Sequence, residues 1–428
     1  MAQPALGESF LADADASLTE TDTLLTDVYP GDDGRRQPVH TVYVPADRYT
    51  TELPQQWGEQ ALALVAEHGG LAALAADLGL DDQLAGQVCD RVEAKLRTAP
   101  IEDLRLDFED GYGDRGDETE DADAVSAANA VADALEAGTN PDFIGIRFKC
   151  FEEPTRRRGI RTLDLFLGAL LARTATVPPQ LVLTFPKVST VGQVDAMVTV
   201  CEALERAHGL APGDLGFEIQ VETPQLILGA DGTAPLARAV HAGQGRVTSL
   251  HYGTYDYSAS LGISAEFQAS DHPAADLAKQ VMQLAVAGTG VHLSDGSTNV
   301  VPTGSADAVK AAWALHAGLV KRALGNGFYQ GWDLHPGQLP TRYLATFAFY
   351  RSGYERAATR LANYVSRSGS GIMDEPATAR ALARYLQRGH ACGAIEGAEL
   401  EADTGLSPEA VATLARPRSD TEGIRRAS

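Results

Sequence analysis

The sequence predicts a (β/α)8 barrel, in which eight parallel strands alternate with helices and close into a cylinder. Eight short apolar runs, bounded by Gly, Pro or Asp, recur along the chain. The stretches between them place apolar residues at i, i+3, i+4 and i+7, as amphipathic helices do. This alternation indicates right-handed crossovers, and eight strands in one series favour a closed barrel. An open doubly wound sheet is the alternative, but the first run, VYVPADRYT, lacks the glycine-rich fingerprint that would favour it.

The eight predicted strands lie between residues 38 and 336. Each run is β-branched, leucine-rich or aromatic and ends in polar or charged residues before a helical stretch begins. In chain order they are PVHTVYVP (38–45), IEDLRLDFED (101–110), DFIGIRFKC (142–150), QLVLTFPKV (180–188), LGFEIQVET (215–223), VTSLHYGTYD (247–256), TGVHLSDG (289–296) and NGFYQGWDLHP (326–336).

Helical periodicity is strongest in four of the intervening stretches, and glycine stands at or near several of their C-terminal ends. These stretches are ADAVSAANAVADALEAG (122–138), TLDLFLGALLARTA (162–175), VGQVDAMVTVCEALERAHG (191–209) and DAVKAAWALHAGLVKRALGNG (307–327).

Three segments are additions to the eight strand–helix units of a minimal barrel. Residues 1–37 are acidic and turn-rich, which predicts an N-terminal arm. The barrel itself is expected over 38–338, interrupted by a long helical insertion at 46–100. Residues 339–428 contain several amphipathic stretches and are predicted to form a helical C-terminal extension.

Charge excludes several classes of partner. Lys and Arg number 35 against 58 Asp and Glu, so the net charge is −23. No basic surface for nucleic acid or for an anionic membrane is visible, and an anionic substrate must meet a local positive cluster. The first residues lack the pattern of a signal peptide, and no apolar run reaches the roughly 18 residues that span a bilayer. No cysteine pair has CxxC spacing. We therefore expect a cytoplasmic protein with a small-molecule substrate.

Two carboxylates at neighbouring strand ends indicate a metal site. Barrels of this type carry their chemistry at the C-terminal ends of the strands. Glu222 follows the fifth strand and Asp256 follows the sixth. Such a pair is a hard oxygen site with open positions, which suits Mg²⁺ or Mn²⁺ holding a bidentate 2-oxo acid. Helix caps or solvated loop carboxylates are the alternative interpretation.

Arg147 interrupts the apolar run of the third predicted strand. By alternation it faces the same side as Gly145 and Lys149, towards the barrel mouth. An arginine there is costly unless it is paired, and Asp107 and Glu109 of the preceding strand are the expected partners. A fixed guanidinium can stabilise a developing enolate oxygen. A purely structural ion pair is the alternative.

Three further features of the strand ends could bind or transform a substrate. Lys187, in TFPKV, could form a Schiff base with a carbonyl or could anchor a carboxylate electrostatically. Exposed backbone amides in the loop that opens at Gly253 and Thr254 would bind a carboxylate. His335 could be a general base or a hydrogen-bonding loop residue.

The order of these motifs resembles the superfamily of citrate lyase β-subunits and HpcH/HpaI aldolases and, more distantly, malate synthase. The resemblance covers about residues 38 to 340, and its specificity comes from seven motifs in the right order at predicted strand ends. The motifs are VYVPA, LDFEDGYG, IGIRF, LTFPKV, IQVETPQLIL, HYGTYDYSASLG and GF…LHPGQ.

The resemblance implies a barrel of the pyruvate/phosphoenolpyruvate type, Mg²⁺-dependent carbon–carbon bond chemistry and a homo-oligomer, often a trimer or hexamer. It also implies a role for each matching residue. Glu222 and Asp256 would bind the metal, Arg147 the enolate oxygen, and Gly253, Thr254 and Tyr255 the substrate carboxylate, while Asp107, Glu109 and Asp110 would support the arginine and the metal-bound waters.

The expected function is thus a metal-dependent lyase or aldolase acting on a 2-oxo acid or hydroxy-oxo acid. Two departures separate the chain from acyl-CoA-cleaving members: Trp332 replaces a lysine after Gly331, and Lys149 replaces an asparagine after Arg147-Phe148. An acyl-CoA lyase or a malate-synthase-like condensing enzyme remains an alternative. So do a metal-free aldolase that uses Lys187 and a non-catalytic protein that binds a metal and an oxo acid.

Overall fold

The computed structural model describes residues 5–366 and 375–416 and contains eight strands that alternate with helices. The predicted (β/α)8 class is confirmed, and each strand lies within one of the eight apolar runs. The strands are β1 (His40–Pro45), β2 (Asp103–Asp107), β3 (Phe143–Arg147), β4 (Leu181–Phe185), β5 (Phe217–Val221), β6 (Val247–Tyr252), β7 (His292–Ser294) and β8 (Gly331–Asp333).

The sheet is parallel throughout, with the strand order β7-β6-β5-β4-β3-β2-β1-β8. The two outer strands of this order meet through a parallel bridge between Ser294 and Gln330. Beside it, the N–H of Asp295 donates to the carbonyl of Gln330 over 2.9 Å. The barrel is therefore nearly closed, and its narrowest join lies between the two shortest strands.

Sixteen α-helices lie within the described residues, most of them on the outside of the barrel. They are α1 (Glu8–Asp27), α2 (Leu53–Glu67), α3 (Gly70–Asp77), α4 (Asp82–Thr98), α5 (Asp117–Ala137), α6 (Arg156–Thr174), α7 (Val191–His208), α8 (Pro224–Ile227), α9 (Leu236–Ala242), α10 (Thr254–Ser260), α11 (Pro273–Val286), α12 (Ala306–Gly325), α13 (Leu339–Ser366), α14 (Pro376–Ala391), α15 (Gly397–Thr404) and α16 (Pro408–Leu414).

Local sequence explains where several helices begin and end. The side chain of Asp81 accepts a hydrogen bond from the N–H of Leu84 at the start of α4. Thr190 and Gln193 form a reciprocal capping box at the start of α7. Gly138 follows α5 with φ of 67°, a left-handed conformation that glycine adopts without steric cost.

The helices of the insertion and of the extension pack together into a second apolar core beside the barrel. Its centre is α13, in which Leu344 and Phe347 are buried. The hydroxyl of Tyr343 on the same helix donates to the carbonyl of Pro100 over 3.0 Å. Parts of the predicted arm (1–4) and extension (367–374 and 417–428) lie outside the described residues.

Polar side chains occupy the inside of the barrel, where related folds place branched apolar residues. Arg105 of β2 is almost fully buried and contacts Asp103, while its Nη2 lies 2.9 Å from Glu218 Oε2. Its Nε also donates to the hydroxyl of Thr184 over 3.0 Å. A buried arginine is tolerated only when its charge and donors are matched in this way. None of the helices in the described ranges has the length and apolar character needed to cross a bilayer.

We expect Leu344→Ala to lower the free energy of unfolding by about 2–5 kcal/mol, because it removes buried methyl groups and leaves a cavity in the second core. Leu315→Ala is the matched control, since Leu315 is 41% exposed on the neighbouring helix α12; its effect should stay within about 0.5 kcal/mol. Urea titration measures both, and equal effects would show that the insertion and extension do not fold as a packed unit.

Candidate active site

A cavity of about 340 Å³ opens at the C-terminal ends of the strands. Residues from seven strands or the loops that follow them line it, which agrees with the usual position of chemistry in (β/α)8 barrels. Most of the strand-end residues predicted from the sequence are in this lining. The lining residues are Tyr43, Pro45, Asp107, Asp110, Gly111, Arg147, Glu222, Gly253, Thr254, Tyr255, Asp256, Ser297, Trp332 and Leu334.

Arg147 is held by a two-point ion pair. Its Nε and Nη2 each donate to one carboxylate oxygen of Asp107 over 2.6 Å, an arrangement that β2–β3 pairing sets up because Asp107 and Arg147 are direct partners in the sheet. Its Nη1 makes only a 3.5 Å ion contact with Glu109. The guanidinium is therefore fixed in orientation and keeps a donor nitrogen that is not engaged in a hydrogen bond with Asp107.

The carboxylate of Asp107 also shapes the loop that follows β2. Its Oδ1 accepts from the N–H of Glu109 over 2.9 Å, and its Oδ2 accepts from the N–H of Gly111 over 2.8 Å. A Cβ at position 111 would fall 2.6 Å from that Oδ2, so only glycine allows this close approach. One side chain thus orients both the arginine and the acidic loop.

Two strand-end lysines have different surroundings. Lys149 donates to the carbonyl of Phe108 over 2.8 Å and to Glu120 over 2.6 Å, which ties the loop after β2 to α5. Lys187 instead reaches into the acidic cluster, where its Nζ contacts Glu109 and lies 2.9 Å from Asp110. Lys149 is therefore structural, and Lys187 belongs to the site.

Lys187 has an unusual backbone. Its φ is 51°, a left-handed conformation that is rare for residues other than glycine. In this conformation its N–H donates to Glu222 Oε1 over 2.7 Å, while its Nζ lies 3.5 Å from Asp256 Oδ2. The strained residue therefore connects the two carboxylates predicted to hold a metal, as expected when strain is retained at a functional site.

The site carries more negative charge than its two cations neutralise. Burial, reinforced by the charges of Glu109 and Asp256, raises the pKa of Glu222 to about 8. Burial likewise raises the pKa of Glu109 to about 7. Burial alone would lower the pKa of Lys187, yet the charges of Glu109 and Glu222 raise it overall, so the amine is an ammonium at neutral pH.

The loop after β6 lies against Glu222. A Cβ at Gly253 would fall 2.4 Å from Glu222 Cβ, so the glycine leaves room for the carboxylate. Thr254 Oγ1 donates to the carbonyl of Ser297 over 3.1 Å, and the hydroxyl of Tyr255 accepts from the N–H of Asn299. The loops after β6 and β7 are thereby joined at the cavity rim.

His335 lies outside the cavity lining, as do Glu109 and Lys187. Its Nδ1 accepts a hydrogen bond from the N–H of Gly337 over 3.0 Å, at the start of a short 3-10 turn. Its partial burial lowers its pKa. A role for His335 as general base stays a prediction, and the loop hydrogen bond accounts for the contacts that it makes.

Sequence reasoning missed the aromatic wall of the site. The guanidinium carbon of Arg147 lies 4.7 Å from the ring centroid of Tyr43 and 5.5 Å from that of Trp332. The two rings are themselves 4.2 Å apart. Trp332 had been noted only for the lysine that it replaces; the signal available in the sequence was the inward position of both rings, next to the strand ends of β1 and β8.

The described residues contain no group of three or more His, Cys, Asp or Glu side chains arranged to hold a metal ion. Glu222 and Asp256 do face one cavity from adjacent strands, as the sequence predicts. A cation bound there would have two protein ligands, and the remaining positions would be open to water or substrate.

Comparison with protein-family models shows the family to which the chain belongs. Residues 18–419 match the family model described as "Domain of unknown function (DUF6986)". A search of the curated proteins finds no match.

Similar solved structures include two complexes of malate synthase from Haloferax volcanii, each 14% identical with a TM-score of 0.48. The lead(II) complex covers 73% of this chain and 74% of that chain; the magnesium and glyoxylate complex covers 89% and 98%. Citrate lyase β-subunit from M. tuberculosis, with oxaloacetate and magnesium, is 17% identical, covers 73% of this chain and 99% of that chain, and has a TM-score of 0.42. Citrate lyase β-subunit and malate synthase are thus among the solved structures to which this chain is similar.

We expect Gly253→Ala to displace Glu222, because the added methyl group would overlap its side chain. The free energy of unfolding should fall by about 1–3 kcal/mol, as overpacking of a tight site does. Gly318→Ala is the control: it lies within α12 with open space around it, and alanine there should be neutral or stabilising by up to about 1 kcal/mol. Thermal unfolding and a crystal structure of each variant test this, and an unmoved Glu222 in Gly253→Ala would contradict it.

Proposed function

We propose that this chain, which belongs to the family DUF6986, is a divalent-metal-dependent carbon–carbon lyase that cleaves a 4-hydroxy-2-oxo acid through an enolate. The proposal follows from the chemistry of its own cavity. The observation that carries the proposal is the arrangement at the C-terminal edge. Glu222, Asp256 and the fixed guanidinium of Arg147 face one cavity of about 340 Å³.

The residues present fit a small, hard cation. Glu222 and Asp256 supply carboxylate oxygens, the donors that Mg²⁺ and Mn²⁺ prefer. Burial, reinforced by the neighbouring carboxylates, raises the pKa of Glu222 to about 8, and a bound divalent cation would favour its ionised form. When bound, such a cation polarises the 2-oxo group and offsets negative charge on its oxygen.

Arg147 would act on the same oxygen. Its Nε and Nη2 are engaged by Asp107, so Nη1 is the donor left for a substrate oxygen. Because the ion pair and the two aromatic rings hold the guanidinium in place, little reorganisation is needed as charge develops. The arginine would therefore stabilise the enolate more than the substrate ketone.

The rest of the cavity would hold and shield the substrate. The first N–H groups of α10, those of Thr254, Tyr255 and Asp256, have no acceptor within the helix and would donate to the substrate carboxylate. Tyr43, Pro45 and Trp332 form an apolar side of the cavity that keeps water from the enolate.

Cleavage then requires one proton acceptor. The bond between C3 and C4 breaks, its electron pair forms the enolate, and the 4-hydroxyl loses its proton as C4 becomes an aldehyde. We assign that proton to the adjacent carboxylates Glu109 and Asp110: Asp110 lines the cavity, and the pKa of Glu109 is about 7 because of burial. Protonation of the enolate at C3 yields pyruvate or a related 2-oxo acid.

We expect the wild-type protein to exchange the methyl protons of pyruvate in D₂O only when Mg²⁺ or Mn²⁺ is present. Glu222→Gln should abolish this exchange and weaken metal binding by roughly 10- to 100-fold, because it removes one of two charged ligands. NMR follows the exchange, and isothermal titration calorimetry follows the metal.

Glu59→Gln is the matched control, since Glu59 is exposed on α2. Metal affinity and turnover equal to wild type in Glu222→Gln would contradict the metal assignment. Metal binding without exchange, together with turnover of an acyl-CoA thioester and glyoxylate, would favour a condensing enzyme.

We expect borohydride in the presence of pyruvate to leave no adduct on Lys187. The pKa of this lysine is raised by the surrounding carboxylates, so its amine is protonated and is not a nucleophile at neutral pH. Intact-protein mass spectrometry measures the adduct, with Lys187→Arg as the control for labelling elsewhere. A mass increase in wild type that is absent from Lys187→Arg, with activity retained in EDTA, would support a metal-free aldolase instead.

Homo-oligomeric assembly and a cytoplasmic location remain predictions of the sequence.

A further inference from the structure

A second cavity, of about 320 Å³, opens at the opposite end of the barrel, where the strands begin. It is separate from the candidate active site: the two cavities have no lining residue in common. Side chains in a (β/α)8 barrel normally fill this region as packed apolar layers. Here Arg105 and Glu218 form a buried polar floor, and Gly145 contributes no side chain to the barrel interior.

A buried histidine in this cavity has an unpaired nitrogen. His251 is 1% exposed, and its Nε2 lies 3.0 Å from Glu218 Oε2. Within the described residues, Nε2 makes no hydrogen bond beyond this ion contact, and Nδ1 has no hydrogen-bond partner. In the ring tautomer that carries its proton on Nε2, towards the carboxylate, Nδ1 presents a lone pair. A buried acceptor without a donor is unfavourable, so a hydroxyl group that enters the cavity can donate to Nδ1.

Two arginines lie at the entrance of the same cavity. The segment that precedes β1 crosses this end of the barrel, fastened where the N–H of Gly31 donates to the carbonyl of Gly288 over 2.7 Å. It places Arg35 and Arg36 in the cavity lining. Within the described part of the chain Arg35 pairs with Asp33, and both of those side chains are about half exposed, so its guanidinium can exchange partners at little cost.

The wall between the entrance and the floor is apolar. Phe143, Leu181 and Val182 line it. The cavity thus combines cations at the mouth, an apolar middle and a hydrogen-bond acceptor at depth, on a chain whose net charge is −23. This combination matches a small amphipathic anion rather than a metal or a polyanion.

We propose that the N-terminal end of the barrel binds a small hydroxycarboxylic acid with an apolar or aromatic body. Its carboxylate would lie against Arg35 and Arg36 at the mouth, and its hydroxyl would donate to His251 Nδ1 at the floor. The proposal is independent of the reaction at the other end of the barrel.

The test uses 4-hydroxybenzoate as the probe, with binding to the full chain measured by isothermal titration calorimetry. Val182→Phe should abolish binding by filling the wall, and Arg35→Gln should weaken it by about fivefold through loss of a half-exposed ion pair. Benzoate, which lacks the hydroxyl, should bind about fivefold more weakly than the probe. The His251 imidazole signals in NMR should shift on titration with the probe.

Val125→Phe, at an exposed position of α5, is the control for adding a ring and should bind like wild type. Binding should also persist with saturating Mg²⁺ and pyruvate, which address the other cavity. The proposal is overturned if the probe binds Val182→Phe as tightly as wild type, or if Mg²⁺ and pyruvate displace it. It is equally overturned if neither 4-hydroxybenzoate nor 5-hydroxypentanoate binds up to about 10 mM.

Discussion

The two-point ion pair between Arg147 and Asp107 is the contact on which the C-terminal edge of the barrel depends. It joins direct partners on β2 and β3, and Asp107 uses the same two oxygens to accept from the loop amides of Glu109 and Gly111. The orientation of the arginine and the shape of the loop therefore depend on the same carboxylate. Removing either charge would leave the other buried without its two-point ionic partner, which is far more costly than losing an exposed pair.

The distribution of charge accounts for the other contacts at the C-terminal edge of the barrel. The carboxylates of the loop after β2 and those of Glu222 and Asp256 are brought together by strand closure, and Lys187 is the cation that lies between them. Its left-handed backbone allows the N–H and the ammonium to serve different carboxylates at once. Even so, burial and repulsion between the carboxylates keep the pKa of Glu222 high. A further cation bound at this edge would balance negative charge that the two cations of the protein leave uncompensated.

The barrel axis is polar from end to end, which distinguishes this chain from a barrel packed with branched apolar layers. The buried cluster of Arg105 and Glu218 lies between the two cavities, and the hydroxyl of Tyr43 lies 3.4 Å from Glu218 Oε1. The ring of Tyr43 in turn supports Arg147. The ends of the barrel are thus connected by contiguous contacts, while each end presents its own chemistry: acidic at the C-terminal edge, and arginine-rimmed at the N-terminal mouth.

The sequence by itself determined the order of strands and helices, because periodicity and turn residues are local signals. It also determined that Arg147, Glu222 and Asp256 share one edge, since parallel strands bring their ends together. Tertiary structure decided what depends on contacts between distant segments: the left-handed Lys187, the stacking of Tyr43 on Trp332, and the joint core of insertion and extension. Tertiary structure also decided that Nδ1 of His251 has no hydrogen-bond partner among the described residues. Whether a buried polar group finds a partner depends on every element packed around it and not on its neighbours in the chain.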